Sequence, residues 1–137
     1  MNVTEHLLKH QIKPSVQRIA IMQYLLDHKT HPSVDEIHAA ISLYIPTLSK
    51  TTVYNTLKLF ADQDAAQMLT IDERRVCFDG DATPHSHFLC KKCGSIYDFF
   101  FQESAKDVMP QEVNGHEITE IHYYYKGFCK NCLNHND

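Results

Sequence analysis

Apolar positions in the first sixty residues recur at helical spacing, and from about residue 66 they fall into short alternating runs. Val3, Leu7 and Leu8 share one side of a short amphipathic stretch, predicting a leading helix over Val3 to His10. Pro14 interrupts the pattern. Ser15 then caps a second helix whose core stripe is Val16, Ile19, Ala20, Met22, Tyr24, Leu25 and Leu26, ending near Lys29. His31-Pro32 reads as a connector. Ser33 with Glu36 three residues on is a capping box, opening a third helix through Ile37, Ala40, Ile41 and Leu43 that Pro46 ends. Ser49 opens a fourth helix, with Val53, Leu57 and Phe60 on one face, Leu59 beside them, and Lys50, Thr51, Tyr54, Asn55 and Lys58 opposite.

Two short strands follow, Ala66 to Ile71 and Arg75 to Phe78, around Asp72-Glu73-Arg74. Helices followed by such a hairpin predict a winged helix-turn-helix. Beyond Asp79 the pattern changes to strands at His87 to Cys90 and Ser95 to Phe101, a short helix over Gln102 to Gln111, and a long strand from Glu117 to Gly127 carrying Ile118, Ile121, Tyr123 and Tyr125. The fold class is therefore α+β. It divides into a winged-helix domain over 1–79, a hinge at Gly80 to Pro84, and a small α+β domain over 85–137. Tyr97, Phe99, Phe100 and Phe101 are more aromatic surface than one strand face needs; they cover a second copy of the chain or pack a core.

Composition changes this picture little. At 137 residues and 43% hydrophobic the chain suits one domain or two small ones. No apolar run approaches the roughly 20 residues that span a bilayer, and the start lacks the layout of a signal peptide, so a cytoplasmic protein with no membrane partner is expected. Charge matters more. The net value of −4 is not that of a chain that coats nucleic acid, but residues 1–64 are neutral and the whole acidic excess lies in residues 65–137. Divalent cations bound there would offset part of it.

The polar face of the fourth helix fits the major groove: Asn55 and Thr51 suit base edges, Tyr54 a thymine methyl, and Lys50 and Lys58 phosphates. Arg74 and Arg75 at the hairpin, with Lys13 and Arg18, are candidate backbone contacts. An ordinary solvated helix would look similar in isolation.

The chemistry concentrates between Asp79 and Asp98. Cys90 and Cys93, with Cys129 and Cys132 near the C-terminus, form two Cys-x-x-Cys pairs; in a chain without an export signal they read as a closed, structural zinc site rather than disulfides. Asp79, His85, His87 and Asp98 offer oxygen and imidazole nitrogen to a metal of intermediate hardness, and His85-x-His87 places both rings on one side of an extended segment. Unliganded surface histidines are the plain alternative. Two enzyme classes are excluded. A zinc deaminase needs a His-x-Glu that His85-Ser86-His87 lacks, and a thioredoxin-like site needs Cys-x-x-Cys at a strand-to-helix junction, not between two strand-like runs.

His31-Pro32, Thr52-Val53-Tyr54-Asn55, the run from Asp79 through His85-Ser86-His87 to Cys90-Lys91-Lys92-Cys93-Gly94, Asp98-Phe99 and Cys129-x-x-Cys132 together resemble the ferric uptake regulator family over nearly the whole chain. Within it the chain looks most like the peroxide-responsive repressors, since Asp98 is aspartate where iron-uptake relatives tend to carry glutamate. The resemblance implies no enzyme but a homodimeric repressor of palindromic double-stranded DNA, with a C-terminal dimerisation domain, a structural zinc on the four cysteines, and regulatory iron or manganese on His31, Asp79, His85, His87 and Asp98. It also implies release of DNA when peroxide and bound Fe(II) oxidise a ligand histidine, for which His31 and His85 are the exposed candidates. Sensing of iron, zinc or manganese level without a peroxide response is the alternative. A further metal site common in the family is degraded here, at Pro84, Ser86 and His122. Cys77, two residues before Asp79, is either a buried wing residue or a thiolate that favours zinc and redox chemistry.

Overall fold

The computed structural model describes residues 2–81, 85–100, 112–119 and 121–134. The expected helix over 102–111, Phe101, and hinge residues Ala82, Thr83 and Pro84 lie outside the described residues. The chain divides into two compact units, Met1–Thr83 and Pro84–Asp137.

The first unit is a winged helix. Helix α1 (Val3–Lys9) is capped by the Asn2 side chain, which accepts from the Thr4 and Glu5 amides. Val3 and Leu7 are buried, but Leu8 faces solvent, because the stripe of a two-turn helix is only wide enough for positions i and i+4. Helix α2 (Val16–Asp27) starts at the Ser15 cap as expected and stops two residues short of Lys29. Its buried residues are Ile21, Met22 and Leu25. Ile21 was absent from the expected stripe, and Val16, included in it, is 76% exposed: as the first residue after the cap it precedes the stripe. In α3 (Val34–Ile41) the Ser33 hydroxyl accepts from the Glu36 amide at 3.3 Å and donates to the Glu36 carboxylate at 3.2 Å. The helix ends before Leu43, which is exposed in the turn instead of packed. Helix α4 (Lys50–Asp62) buries Val53, Thr56, Leu57 and Phe60, one side of the helix at 3.6-residue spacing.

Strands β1 (Gln67–Leu69) and β2 (Cys77–Asp79) are shorter than the alternation predicted; they pair antiparallel with Met68 opposite Phe78. The connector before α3 joins this sheet: Ser33 bridges Cys77, and the Phe78 amide donates to the Pro32 carbonyl at 2.9 Å. One core runs through α1 to α4 and reaches Phe78 of β2. Gly80 passes close to α2, where an added Cβ would lie 3.0 Å from the Leu25 carbonyl oxygen. Backbone cannot yield as a flexible side chain can, so Gly80→Ala is expected to destabilise this unit by about 1–3 kcal/mol, read as a lower denaturant midpoint at unchanged slope.

In the second unit, β3 (Ser86–Cys90) is the central strand. It pairs antiparallel with β4 (Ile96–Phe99) and, on its other edge, parallel with β7 (Tyr124–Gly127). The expected strand from Glu117 to Gly127 is not continuous. Glu112–Val113 (β5) and His116–Glu117 (β6) form their own hairpin, and among the described residues β3 is met by the last four of the run and by the Tyr123 carbonyl, which accepts from the His87 amide at 3.2 Å. Asn114 and Gly115 turn that hairpin with φ of 52° and 84°, the two left-handed positions that favour Asn-Gly. Helix α5 (Lys130–Asn134) closes the described chain.

Candidate metal centres and DNA-binding face

Four sulfurs gather at one end of the second unit. Cys90 ends β3, Cys93 lies in the turn that Gly94 closes at φ 78°, Cys129 precedes α5, and Cys132 lies within it. Lys91 N–H donates to the Gly127 carbonyl at 2.7 Å, which ties the turn to the end of β7. Cys90 and Cys132 Sγ are 3.7 Å apart, Cys93 and Cys129 Sγ 3.8 Å, and all four sulfurs lie within 4.8 Å of one another. A disulfide needs sulfurs at about 2.0 Å. A tetrahedron with zinc–sulfur bonds of about 2.3 Å has edges of about 3.8 Å, so the set fits zinc. Amides of Cys93 and Cys129 point at Cys90 Sγ from 3.5 and 3.4 Å and draw its thiol down to about 6. The neighbouring Cys129 sulfur, together with burial, pushes Cys132 up to about 12. Four adjacent thiolates repel one another, and a divalent cation removes that conflict.

The oxygen and nitrogen donors fall in two sets, one in each unit. In the wing sheet, the bridge of Ser33 with Cys77 sets an antiparallel register that brings His31 opposite Asp79. His31 Nε2 lies 3.6 Å from Asp79 Oδ2, with both side chains buried. His31 takes φ of 58°, a left-handed conformation that is uncommon without glycine and that recurs where a side chain must be aimed. In the second unit, His85 directly precedes β3 and His87 lies within it, across the ladder from Asp98 of β4. Both Nε2 atoms lie 3.3 Å from Asp98 Oδ1, and the rings are 4.4 Å apart. The expectation that His31 and His85 are exposed is wrong: the His31 side chain is 5% exposed and that of His85 0%. An imidazole next to a carboxylate is well placed to be covered by the sheets that aim it.

Cys77 is fully buried, opposite Leu69 in the wing, and burial raises its thiol above the ordinary range, which keeps it protonated. Its burial and its place in the sheet fit the buried wing residue.

On α4, Lys50, Thr51, Tyr54, Asn55 and Lys58 are all exposed, as the periodicity predicts. Lys50 Nζ pairs with Asp35 Oδ1 at 3.2 Å, an ion pair exposed on both sides and readily exchanged for a phosphate. Arg18 donates from Nη1 to the Lys13 carbonyl at 2.8 Å, so it braces the start of α2 while Lys13 stays exposed. The wing arginines differ from each other. Arg74 is largely exposed, whereas Arg75 pairs with Glu36 and, at 3.5 Å, with Asp72. Sequence reasoning passed over Asp72, a buried carboxylate that accepts the Arg74 amide two residues on; an Asp-x-Arg turn was the available signal.

A winged helix followed by a small α+β unit with four clustered cysteines is the architecture shared with a family of transcriptional regulators. The chain belongs to the ferric uptake regulator family, whose sequence model matches residues 9–125. This is a family of transcriptional regulators and not of enzymes. It is 35% identical to the peroxide-responsive repressor PerR of Staphylococcus epidermidis over 92% of this chain and 85% of that one, and 31% identical to PerR of Staphylococcus aureus over 96% and 98%. A ferric uptake regulator from Pseudomonas aeruginosa with manganese shares the fold at a TM-score of 0.74 and 22% identity, covering 95% of this chain and 99% of that one. The peroxide stress regulator of Campylobacter jejuni is similar at a TM-score of 0.66 and 25% identity, over 95% and 96%. Among the described residues, no helix is long and apolar enough to cross a membrane.

Proposed function

We propose that this protein is a cytoplasmic, homodimeric repressor that binds a palindromic operator when Fe(II) or Mn(II) occupies a site made by His31, Asp79, His85, His87 and Asp98, and that peroxide reverses binding. The observation that carries the reading is the pairing of every imidazole Nε2 in the two sets with a carboxylate oxygen, at 3.3 to 3.6 Å. Three nitrogens and two oxygens suit iron and manganese, and five protein ligands leave an octahedral position open. Bound Fe(II) supplies reducing chemistry toward hydrogen peroxide, with the His31 and His85 rings as the adjacent oxidisable groups. His31 and Asp79 bring the wing sheet to the cation, and His85, His87 and Asp98 bring the dimerisation unit. A cation shared between them favours one arrangement of the units, which selects half-sites of one spacing.

Lys50, Thr51, Tyr54, Asn55 and Lys58 form the major-groove face, with Lys13, Arg18 and Arg74 on phosphates. Tyr123 and Tyr125 on or beside β7, with Phe100, Phe128 and Leu133, are exposed apolar side chains of the second unit that a second copy would cover. Zn(II) on the four cysteines is the structural ion. Burial of His31 and His85 favours a second reading, sensing of metal level alone, because external oxidant meets no open ring edge.

The test is retardation of a selected palindromic duplex with Fe(II), Mn(II) or Zn(II), each before and after hydrogen peroxide. The expected result is binding with Fe(II) and Mn(II), loss after peroxide with Fe(II) only, and an added oxygen on His31 or His85 by mass spectrometry. Asp98→Glu is expected to keep metal-dependent binding and blunt the peroxide response. An unchanged response in Asp98→Glu removes the main support for peroxide sensing and favours the second reading.

A further inference from the structure

The hairpin after α4 contains a charge network that metal binding does not use. Asp72 is 6% exposed, and its Oδ1 accepts the Arg74 amide at 2.9 Å and the Arg74 Nε at 3.3 Å. Its Oδ2 lies 3.5 Å from Arg75 Nε. Arg75 in turn pairs through Nη1 with Glu36, whose carboxylate also accepts from the Ser33 hydroxyl that caps α3. Buried carboxylates are costly unless bonded, and here the Arg74 amide, ahead of either guanidinium, holds Asp72 below the usual carboxylate range.

The two arginines therefore have different duties. Arg75 is committed at both Nε and Nη1 to carboxylates of its own domain, which fixes the wing to the start of α3. Arg74 is held only at Nε, with a side chain 78% exposed, so its two terminal nitrogens remain for an external anion in a guanidinium whose plane is already set. We propose that Asp72 is a positioning residue for DNA binding: it aims Arg74 as the wing's phosphate contact, while Arg75 serves as an internal strut. This rests on the reading of the first unit as the DNA-binding surface.

The sign of the effect separates this role from simple charge. Removing a negative charge near DNA ordinarily tightens binding. If Asp72 orients Arg74, removing its charge weakens binding, because Arg74 must then be ordered at the moment of contact.

The experiment measures affinity of the full-length, Mn(II)-loaded protein for a palindromic duplex selected from a random library, across a series of salt concentrations, for the parent, Asp72→Asn, Arg74→Ala and the double variant. Asp72→Asn keeps an oxygen for the Arg74 amide, so the turn is retained, and removes the charge that strengthens the hold of that same oxygen on Arg74 Nε; an unchanged melting curve checks the turn. The expected result is a loss of roughly fivefold in Asp72→Asn and in Arg74→Ala, a salt slope lower by about 0.9 in each, and no further loss in the double variant. Tighter binding by Asp72→Asn, or an Asp72→Asn loss that persists in full on top of Arg74→Ala, overturns the positioning role. An Arg74→Ala variant that binds like the parent overturns it too. Failure of the parent to bind any selected duplex overturns the DNA-binding reading itself, whereas parent binding with an inert Asp72→Asn sinks only the inference about the wing.

Discussion

Cys129→Ser is expected to unfold the second unit and to release its zinc. The reason lies in how little buried apolar surface the described residues of that unit carry. The described hydrophobic core, from Val3 to Phe78, belongs wholly to the first unit, whereas in the second the buried apolar residues among those described are Leu89, Cys90 and Cys129, two of them in the sulfur cluster. Structural zinc contributes on the order of 10–16 kcal/mol in small domains, comparable with or larger than a whole domain's net stability of about 5–15 kcal/mol. Cys129 also donates its amide to Cys90 Sγ and begins the turn into α5, so loss of its sulfur frees both ends of the staple. Zinc per chain is expected to fall from one to near zero, with loss of the near-ultraviolet signal from Tyr97 and Tyr125 on the paired strands. Cys77→Ser is the control, since Cys77 pairs with Leu69 in the wing sheet and is not one of the four clustered sulfurs; it should retain one zinc per chain. A Cys129→Ser protein that keeps its zinc and its melting temperature would falsify the structural assignment.

The parts of this molecule that were legible in the sequence are those decided within one turn of chain. Ser15, Ser33 and Ser49 cap where their hydroxyls can reach an amide three residues on, and the polar face of α4 follows from a period that four buried residues enforce. The clustering of the candidate ligands was legible in part for the same reason: Cys-x-x-Cys and His-x-His are local geometry. What failed was decided at a distance. Alternation over Glu117 to Gly127 looks the same whether a segment pairs with β3 or only with its own hairpin neighbour, and the Asn114-Gly115 turn that settles it was overlooked. His31 could be placed beside Asp79 only through likeness to a family, because the register that pairs them depends on the connector joining the wing sheet at Ser33 and Cys77. The division between Arg74 and Arg75 likewise depends on the burial of Asp72, which no local pattern announces.

His87→Ala is expected to abolish metal-dependent DNA binding while leaving the zinc site and the fold of the first unit intact. His87 is the central candidate donor of the second unit: it lies on the middle strand, 2% exposed, with Asp98 across the ladder and the His85 ring tilted against it at 4.4 Å. Its neighbours cannot substitute, since Ser86 and Phe88 alternate to the other face of β3. Loss of one imidazole from the five proposed ligands takes away an interaction made only in the metal-loaded form, so the penalty falls on the coupling between metal and DNA and not on DNA contacts themselves. A metal that raises operator affinity about a hundredfold must favour the binding-competent arrangement by about 2.7 kcal/mol, and without His87 the variant should lose up to that factor. Two measurements separate the causes: Mn(II) affinity followed by electron paramagnetic resonance should weaken by at least about tenfold, and residual, salt-sensitive binding to random duplex should match the parent. Equal operator affinity of His87→Ala and parent, in chelator and in excess Mn(II) alike, would mean that the site does not govern repression. Loss of random-duplex binding as well would instead locate the damage in the fold, and Asp98→Asn, which keeps the side-chain volume on an edge strand, then serves as the second variant for the same comparison.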